Sequence, residues 1–194
     1  DKREDCEVHI VSWTNQYPAI IPREFVDKSS KTDLLEGTNI QVKYITNYNN
    51  PASWKATTKY ILDIKPDIVI FQWAIAIQGL PLSSIARRLQ REKQLEVIFD
   101  LHFVIQKENS SLDRYLTKKA IQYADTYIVH ALKTRAELEE VFPKQAFVMN
   151  KSGERVSTVN EKLIIKLYHP IYDLFKPDPE FNVESFKKEH GLNK

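Results

Sequence analysis

A histidine with a carboxylate six residues later is the pattern in this sequence best suited to chemistry. His102 follows a short apolar run, residues 95–99, that is typical of a buried strand, and Glu108 lies in the polar turn after it. In an open α/β sheet, ligands bind outside the carboxyl ends of the strands. We therefore predict a functional role for the pair. A structural role for His102, and a solvated or helix-leading role for Glu108, are the alternatives.

Other polar or aromatic side chains also stand at predicted strand ends. Gln72 and Trp73 close one strand and His130 closes another. Trp73 is either a cap on the core or an aromatic platform for a sugar, and His130 has either a structural or a ligand-facing role. Asn15, Gln16 and Tyr17 follow the first strand, where such sheets usually bind a charged group, although ordinary loop residues would look the same.

Strands and helices must alternate to bring these ends together. Strands are predicted at residues 8–13, 40–45, 67–72, 95–99 and 125–130, and helices at residues 51–65, 82–92, 111–123 and 134–142. Asn50-Pro51 is typical of a helix start, and Thr134 to Glu137 forms a capping box. This rhythm predicts the α/β class, with a doubly wound, largely parallel, Rossmann-like sheet.

Apolar spacing predicts which faces of the helices point inward. The inward residues are expected to be Ala52, Ala56, Tyr60, Ile61 and Ile64 in the first helix, Leu82, Ile85, Ala86 and Leu89 in the second, and Leu112, Tyr115, Leu116, Ala120 and Tyr123 in the third. Residues 145–168 depart from the rhythm. Two strand-like segments around a polar turn predict a hairpin-like excursion there.

The bulk composition narrows the class of protein. The 194 residues are 42 % hydrophobic and 28 % charged, which indicates one folded domain. A net charge of +2 offers no case for a nucleic-acid partner, and the one cysteine, Cys6, suits a reducing compartment. The charged N-terminus and the lack of a long apolar run predict neither signal peptide nor membrane span. We expect a cytoplasmic protein, with Arg87-Arg88 and Lys118-Lys119 as weak contributors to peripheral contact with an anionic membrane.

Several chemistries lack their sequence patterns. The four glycines include no phosphate-cradling pair, so a complete Rossmann fingerprint and a Walker loop are missing. No HExxH or CxxC spacing is present, so we expect no metal site, and no GxSxG elbow supplies a hydrolase nucleophile.

Five segments, in order along the chain, resemble family-4-like glycosyltransferases of the GT-B fold: four lie in the N-terminal domain, and residues 187–192 (KKEHGL) resemble the helix end just before the second domain begins. Residues 65–73 (KPDIVIFQW) resemble that family's "kPDvvi-QW" strand, and residues 102–108 (HFVIQKE) resemble its HNxxPHE loop. Residues 123–130 (YADTYIVH) are similar to its "aDafivHs" strand, and residues 168–175 (YHPIYDLF) look like the segment that closes the domain. The first histidine and the glutamate of the loop motif match, whereas its asparagine, proline and second histidine do not.

The resemblance implies a domain division and an activity. Residues 1–176 would be the Rossmann-like acceptor-side domain, and residues 177–194 a linker and helix leading to a C-terminal donor-binding domain that lies outside this sequence. The enzyme would transfer a sugar, with retention, from a nucleotide-sugar to a glycan or lipid-linked acceptor in polysaccharide biosynthesis. It would need no cofactor or metal beyond the nucleotide-sugar co-substrate, and the fragment alone would be inactive.

The resemblance also assigns roles to the candidate residues. His102 would lie beside the transferred sugar and Glu108 would orient the loop or bind the acceptor, so both are assigned to catalysis. Gln72, Trp73 and His130 would bind the acceptor, and Asn15, Gln16 and Tyr17 would lie near the donor phosphates. The family often has a Gly-Gly pair after the first strand, which this sequence lacks. Two alternatives stay open: a non-catalytic carbohydrate- or protein-binding module, and half of a sugar-nucleotide epimerase.

Overall fold

A computed structural model describes residues 5–21, 35, 37–105, 110–150, 161–167 and 181–192. The strands are β1 (His9–Asn15), β2 (Gln41–Asn47), β3 (Ile68–Trp73), β4 (Glu96–Leu101), β5 (Thr126–Val129), β6 (Ala146–Asn150) and β7 (Glu161–Lys166). The helices are α1 (Pro51–Ile64), α2 (Gly79–Leu89), α3 (Ser111–Ile121), α4 (Leu132–Val141) and α5 (Val183–Glu189), with a 3₁₀ turn at Ala76–Gln78.

The strands form two parallel sheets. Five of them pair in the order β3-β4-β5-β7-β6, and every pairing is parallel. β1 and β2 pair with each other in a separate two-stranded parallel sheet, whose Val11 and Trp13 pack against the core. The predicted α/β class and the Rossmann-like parallel architecture are therefore confirmed.

The hairpin-like excursion predicted for residues 145–168 is wrong. β6 runs parallel to β7, and β7 lies between β5 and β6. Two parallel strands cannot be joined by a tight turn, so β6 and β7 are not the two strands of a hairpin. Leu163 and Ile164 are both buried although they point to opposite faces, which is the pattern of a strand covered on both sides.

Helix α1 begins as predicted, but its buried face is different. The side chain of Asn50 accepts a hydrogen bond from the Ala52 amide at 3.0 Å, which caps the helix. The predicted inward residues Ala52 and Ala56 are exposed, whereas Thr57 and Thr58 are buried. The two threonines can lie inside because Thr57 shares a hydrogen bond with the Thr46 hydroxyl and Thr58 donates to the Trp54 carbonyl oxygen.

Helices α2 and α3 pack closely against each other. The predicted inward face of α2 (Leu82, Ile85, Ala86, Leu89) is buried, as expected. Gly79 opens α2 against α3, where a Cβ would lie 2.7 Å from the Leu116 carbonyl oxygen. In α3, Leu116 and Ala120 are buried, but the predicted inward residues Leu112 and Tyr115 are exposed. The face of α3 that meets α2 therefore begins one turn later than the apolar spacing predicts.

The capping box predicted at Thr134 is also wrong, although the helix exists. α4 begins at Leu132, and its N-cap residue Ala131 makes no side-chain hydrogen bond. Glu137 consequently lies inside the helix rather than in its first turn, and its carboxylate is used elsewhere.

Strand β4 is the central element of the core. It lies between β3 and β5, and Val97, Phe99 and Leu101 are fully buried on one face. Phe99 stacks on Phe71 of β3 with ring centroids 4.8 Å apart. Because the sheet is parallel, the carboxyl ends of β3, β4 and β5 meet at one edge. The residues after these ends are therefore neighbours in space.

The last described segment contains the predicted C-terminal helix. α5 begins after Asn182, whose side chain accepts a hydrogen bond from the Ser185 amide, and none of its residues is buried. The proposed boundary at residue 176 and the segment 168–180 lie outside the described residues.

Candidate functional site

A group of polar side chains shares one face at the carboxyl edge of the five-stranded sheet. Gln72 of β3 lies directly opposite Asp100 of β4, and Asp100 lies opposite Ile128 of β5. Because alternate residues of a strand point to the same face, His102 and His130 follow Asp100 and Ile128 on that side. The register of the sheet thus brings together three of the candidate residues predicted from sequence, Gln72, His102 and His130.

Asp100 is the shared partner of this group. Its Oδ2 accepts a hydrogen bond from Gln72 Nε2 at 3.1 Å, and its Oδ1 lies 2.7 Å from His130 Nε2. The side chains of His130 and Asp100 are only 11 % and 15 % exposed. Little water reaches this hydrogen bond, so losing it would leave the carboxylate poorly solvated.

The two ring nitrogens of His130 both face oxygen atoms. Nδ1 lies 3.2 Å from the carbonyl oxygen of Leu167, and Nε2 faces the carboxylate of Asp100. A carbonyl and a carboxylate only accept hydrogen bonds, so both contacts are made when the ring carries a proton on each nitrogen. In that form His130 places a positive charge at the edge of the sheet.

His102 is exposed beside this pair. Its ring stacks on the ring of His130, with centroids 5.2 Å apart and planes inclined by 24°. The chain is fixed closely on both sides, because Leu101 is fully buried and Val104 is 1 % exposed. His102 is therefore exposed to solvent although the chain is buried one residue before it and two residues after it.

Glu137 of α4 holds the segment that follows His102. Its Oε2 accepts hydrogen bonds from the backbone amides of Val104 and Ile105 at 2.9 and 3.0 Å, although Glu137 is only 8 % exposed. Lys133 Nζ lies 3.7 Å from the other carboxylate oxygen. One buried side chain thus satisfies two backbone donors of the loop that carries His102.

Asp100, His102 and His130 are also residue types that bind metals. Each offers one ligand atom, and these three atoms lie within 4.8 Å of one another. The HExxH and CxxC spacings used to predict metal sites from sequence do not include this grouping. Two ligands of one tetrahedral zinc ion are about 3.3 Å apart, as follows from bond lengths of about 2.0–2.1 Å. The 2.7 Å between Asp100 and His130 is shorter, so the pair has the geometry of a direct hydrogen bond.

Trp73 lies in the core rather than at the surface. It is 0 % exposed and packs against Phe99, with ring centroids 6.4 Å apart. No face of the indole is open to a sugar, so burial supports the interpretation of Trp73 as a core residue over that of an acceptor platform. Glu108, the other residue assigned to catalysis, lies outside the described residues.

Hydrogen bonds from two asparagines hold the loop of residues 15–17, which was predicted to lie near the donor phosphates. The side chain of Asn15 accepts a hydrogen bond from the Tyr17 amide, and its carbonyl oxygen accepts one from the Tyr48 amide. Asn49 donates to the Tyr17 carbonyl oxygen at 3.0 Å and accepts from the Ala19 amide at 2.9 Å. The chain around Gln16 is therefore braced against the turn that leads into α1, at the carboxyl ends of β1 and β2.

Burial raises the pKa of Tyr48, which follows β2, and two further shifted pKa values occur at the amino-terminal edge of the five-stranded sheet. Burial lowers the pKa of Lys162 to about 8, and the nearby charge of Asp125 acts in the opposite direction. The Lys162 ammonium donates to the carbonyl oxygens of Gln122 and Ala124, just beyond α3. Burial, and to a lesser degree Asp125, raise the pKa of Tyr127 far above its ordinary value. Lys162 and Tyr127 belong to the packing of α3 and not to the candidate site.

Sequence reasoning missed Asp100 and Glu137. Asp100 could have been found as a charged residue between the apolar Phe99 and Leu101, since a carboxylate in a buried strand needs partners. Glu137 had a signal, the acid in the Thr134–Glu137 pattern, but that pattern indicated a local partner instead of one 33 residues away.

Comparison with known proteins identifies no relative. The chain matches no family model, no curated protein and no solved structure. Within the described part of the chain, no helix has both the length and the apolar character needed to cross a membrane.

Proposed function

We propose that this chain is the acceptor-side half of a retaining glycosyltransferase that transfers a sugar from a nucleotide-sugar to a glycan or lipid-linked acceptor. The observation that carries the proposal is the exposed ring of His102 at the carboxyl edge of a parallel sheet, stacked on His130 and next to Asp100. This edge is where ligands bind in open α/β sheets. The motif resemblance independently assigns His102 to the side of the transferred sugar.

The chemistry of the edge suits a polyhydroxyl ligand. Gln72, Asp100 and the histidines together offer donors and acceptors on one face, which is what sugar hydroxyls require. A cation at His130 would also favour negative charge on a neighbouring phosphate or on a departing group. His102 would contact a hydroxyl of the transferred sugar, and Asp100 and His130 would hold its ring in place.

The proposal requires a second domain. In GT-B enzymes the donor binds mainly to a C-terminal α/β domain, and the acceptor side completes the cleft. We therefore infer that turnover needs residues 1–194 joined to such a domain. We also place the enzyme in the cytoplasm, because a single cysteine suits a reducing compartment and the basic pairs on α2 and α3 would suit the inner membrane face.

The test is transfer by the native protein with its C-terminal continuation. Release of nucleoside diphosphate from a panel of nucleotide-sugars would identify the donor, and mass spectrometry would identify the glycosylated acceptor. His102→Ala should then lower kcat by about 100-fold or more, the usual cost of losing a group that stabilises a transition state. His9→Ala, a histidine at the amino end of β1, is the matched control and should leave kcat unchanged. Turnover of His102→Ala within about twofold of the parent would refute the proposed role.

A binding module without catalysis is the second candidate. It is favoured by the missing Gly-Gly pair after β1 and by Phe103, which stands where the family motif has asparagine. Such a module would bind a glycan as residues 1–194 alone and transfer nothing when joined to the C-terminal continuation. An epimerase half would instead convert the free nucleotide-sugar, which product analysis without acceptor would detect.

A further inference from the structure

One side-chain oxygen of α4 accepts hydrogen bonds from two backbone amides of the segment that follows β4. Oε2 of Glu137 accepts hydrogen bonds from the amides of both Val104 and Ile105, at 2.9 and 3.0 Å. Glu137 is buried, with only 8 % of its surface exposed. Burying a carboxylate is costly unless its oxygens are hydrogen-bonded, and charge-assisted bonds to backbone amides offset that cost.

This attachment is not explained by the helix itself. Glu137 is in the middle of α4, where a carboxylate has no capping task, and the exposed Glu139 and Glu140 of the same helix pair with Arg135 and Arg114 at the surface. Only Glu137 turns inward, toward a loop 33 residues earlier in the chain. Its Oε2 therefore serves the loop, while the exposed Lys133 of α4 lies 3.7 Å from its other oxygen.

The loop segment held by Glu137 begins two residues after His102. Leu101 fixes the chain on one side of His102 and Val104 fixes it on the other. Without the carboxylate, the amides of Val104 and Ile105 would be buried without partners, and the loop would have to open to water to satisfy them. A shift of about 1 Å in a catalytic group can cost on the order of 100-fold in rate.

We propose that Glu137 is a positioning residue that fixes the backbone of Val104 and Ile105 and thereby the place of the His102 ring. The effect on sugar transfer rests on the proposed function, whereas the effect on the loop and on His102 does not. Glu137 acts only through this loop and does not touch substrate.

Three variants separate positioning from general stability. Glu137→Ala removes both hydrogen bonds, Glu137→Gln keeps one neutral oxygen that can accept from both amides, and Glu139→Ala removes a surface charge from the same helix as control. Hydrogen exchange of the 194-residue chain is measured at the Val104 and Ile105 amides, with Tyr127 in β5 as internal reference. The NMR signals of the His102 ring are recorded in the same samples, well below each melting temperature.

Glu137→Ala should raise exchange at Val104 and Ile105 at least tenfold relative to Tyr127 and shift or broaden the His102 ring signals. Glu137→Gln should lie between the alanine variant and the parent, and Glu139→Ala should match the parent. In the joined enzyme, Glu137→Ala should lower kcat at least tenfold, with a smaller change in KM.

Uniformly faster exchange with an unmoved His102 ring would overturn the proposal, because a purely structural residue gives that pattern. Unchanged kcat in an active enzyme would overturn it as well. If the parent enzyme transfers no sugar, the proposed function fails, and local exchange with the His102 signals still decides the role of Glu137. Should Glu137→Ala not fold, the same readouts on Glu137→Gln decide it.

Discussion

His130, at the end of β5, contacts Asp100 of the neighbouring parallel strand β4, with Nε2 and Oδ1 2.7 Å apart. Asp100 lies opposite Ile128, and His130 comes two residues later on the same face. The pair therefore ties β4 to β5 at their carboxyl ends and provides the ring on which His102 stacks. One hydrogen bond contributes both to the joining of the strands and to the geometry of the candidate site.

Loss of the His130 ring should destabilise the fold. In His130→Ala the carboxylate of Asp100, 15 % exposed, keeps the hydrogen bond from Gln72 but loses the one with His130. We expect the free energy of unfolding to fall by about 2 kcal/mol, within the range for a broken, poorly hydrated pair. Urea denaturation followed by circular dichroism measures it. Lys59→Ala, which breaks the exposed pair with Asp63, should give the parent midpoint, and equal losses in the two variants would contradict the argument.

The contact between α2 and α3 should not tolerate a methyl group at Gly79. A Cβ there would lie 2.7 Å from the Leu116 carbonyl oxygen, and that atom belongs to the backbone of α3. Gly79→Ala should therefore lower the unfolding free energy by about 1–3 kcal/mol through forced separation of the helices. Arg87→Ala, at an exposed position of the same helix, is the control. A Gly79→Ala protein as stable as that control would show that the helices separate at no cost.

The buried hydroxyl of Tyr127 should contribute to stability through one hydrogen bond. It donates to the Ile121 carbonyl oxygen at 2.8 Å, at the end of α3. Tyr127→Phe preserves the packing of the ring but removes this bond, and the Ile121 oxygen keeps only the bond from the Ala124 amide, so we expect a loss of about 1 kcal/mol in urea denaturation. Tyr44→Phe, which alters a ring that is 65 % exposed, should change nothing measurable. Identical midpoints for both variants would refute the contribution.

Lys162 should make the fold more stable as pH rises above about 8. Burial lowers its pKa to about 8 in the folded chain, against 10.5 for an ordinary lysine. Between these two values the unfolded chain binds more protons than the folded one, so the unfolding free energy increases with pH. Below about pH 8 the lysine is protonated in both states and contributes no pH dependence.

The measurement is urea denaturation at pH 7.5, 8.5 and 9.5 for the parent and Lys162→Met. Relative to the variant, the parent should gain about 1–2 kcal/mol across this window. Lys55→Met, an exposed lysine of α1, corrects for the general effect of removing a cation. Parallel pH curves for the parent and Lys162→Met would mean that Lys162 keeps its ordinary pKa.

The order of strands and helices follows from local sequence, but their lateral arrangement does not. The Asn50 cap and the apolar face of α2 depend on nearby residues, and both were predicted correctly. β7 lies between β5 and β6, and this placement depends on pairing between strands that are distant in the chain. The spacing of apolar residues within a segment contains no information about such pairing. Thr57 and Thr58 were not among the residues predicted to point inward, because their burial depends on hydrogen bonds that form only in the folded chain.

The site was predictable where it lies at strand ends. Gln72, His102 and His130 were found because carboxyl ends of parallel strands collect ligand-binding residues. Asp100 was missed because it lies inside a strand, and Glu137 because its partners are 32 and 33 residues away. Trp73 was ambiguous because an aromatic ring at a strand end suits both the core and a sugar, and only burial separates them.

The position of β7 has a consequence for the order in which the sheet can assemble. Within the described residues, β6 pairs with β7 alone, and β7 in turn pairs with β5. During synthesis, β6 leaves the ribosome earlier but has no strand to join until residues 161–166 have been made. β7 must therefore dock before or together with β6, and this non-local step should be among the slower events of folding. A nascent chain that ends before residue 161 would leave the apolar edge of β5 uncovered and prone to aggregation.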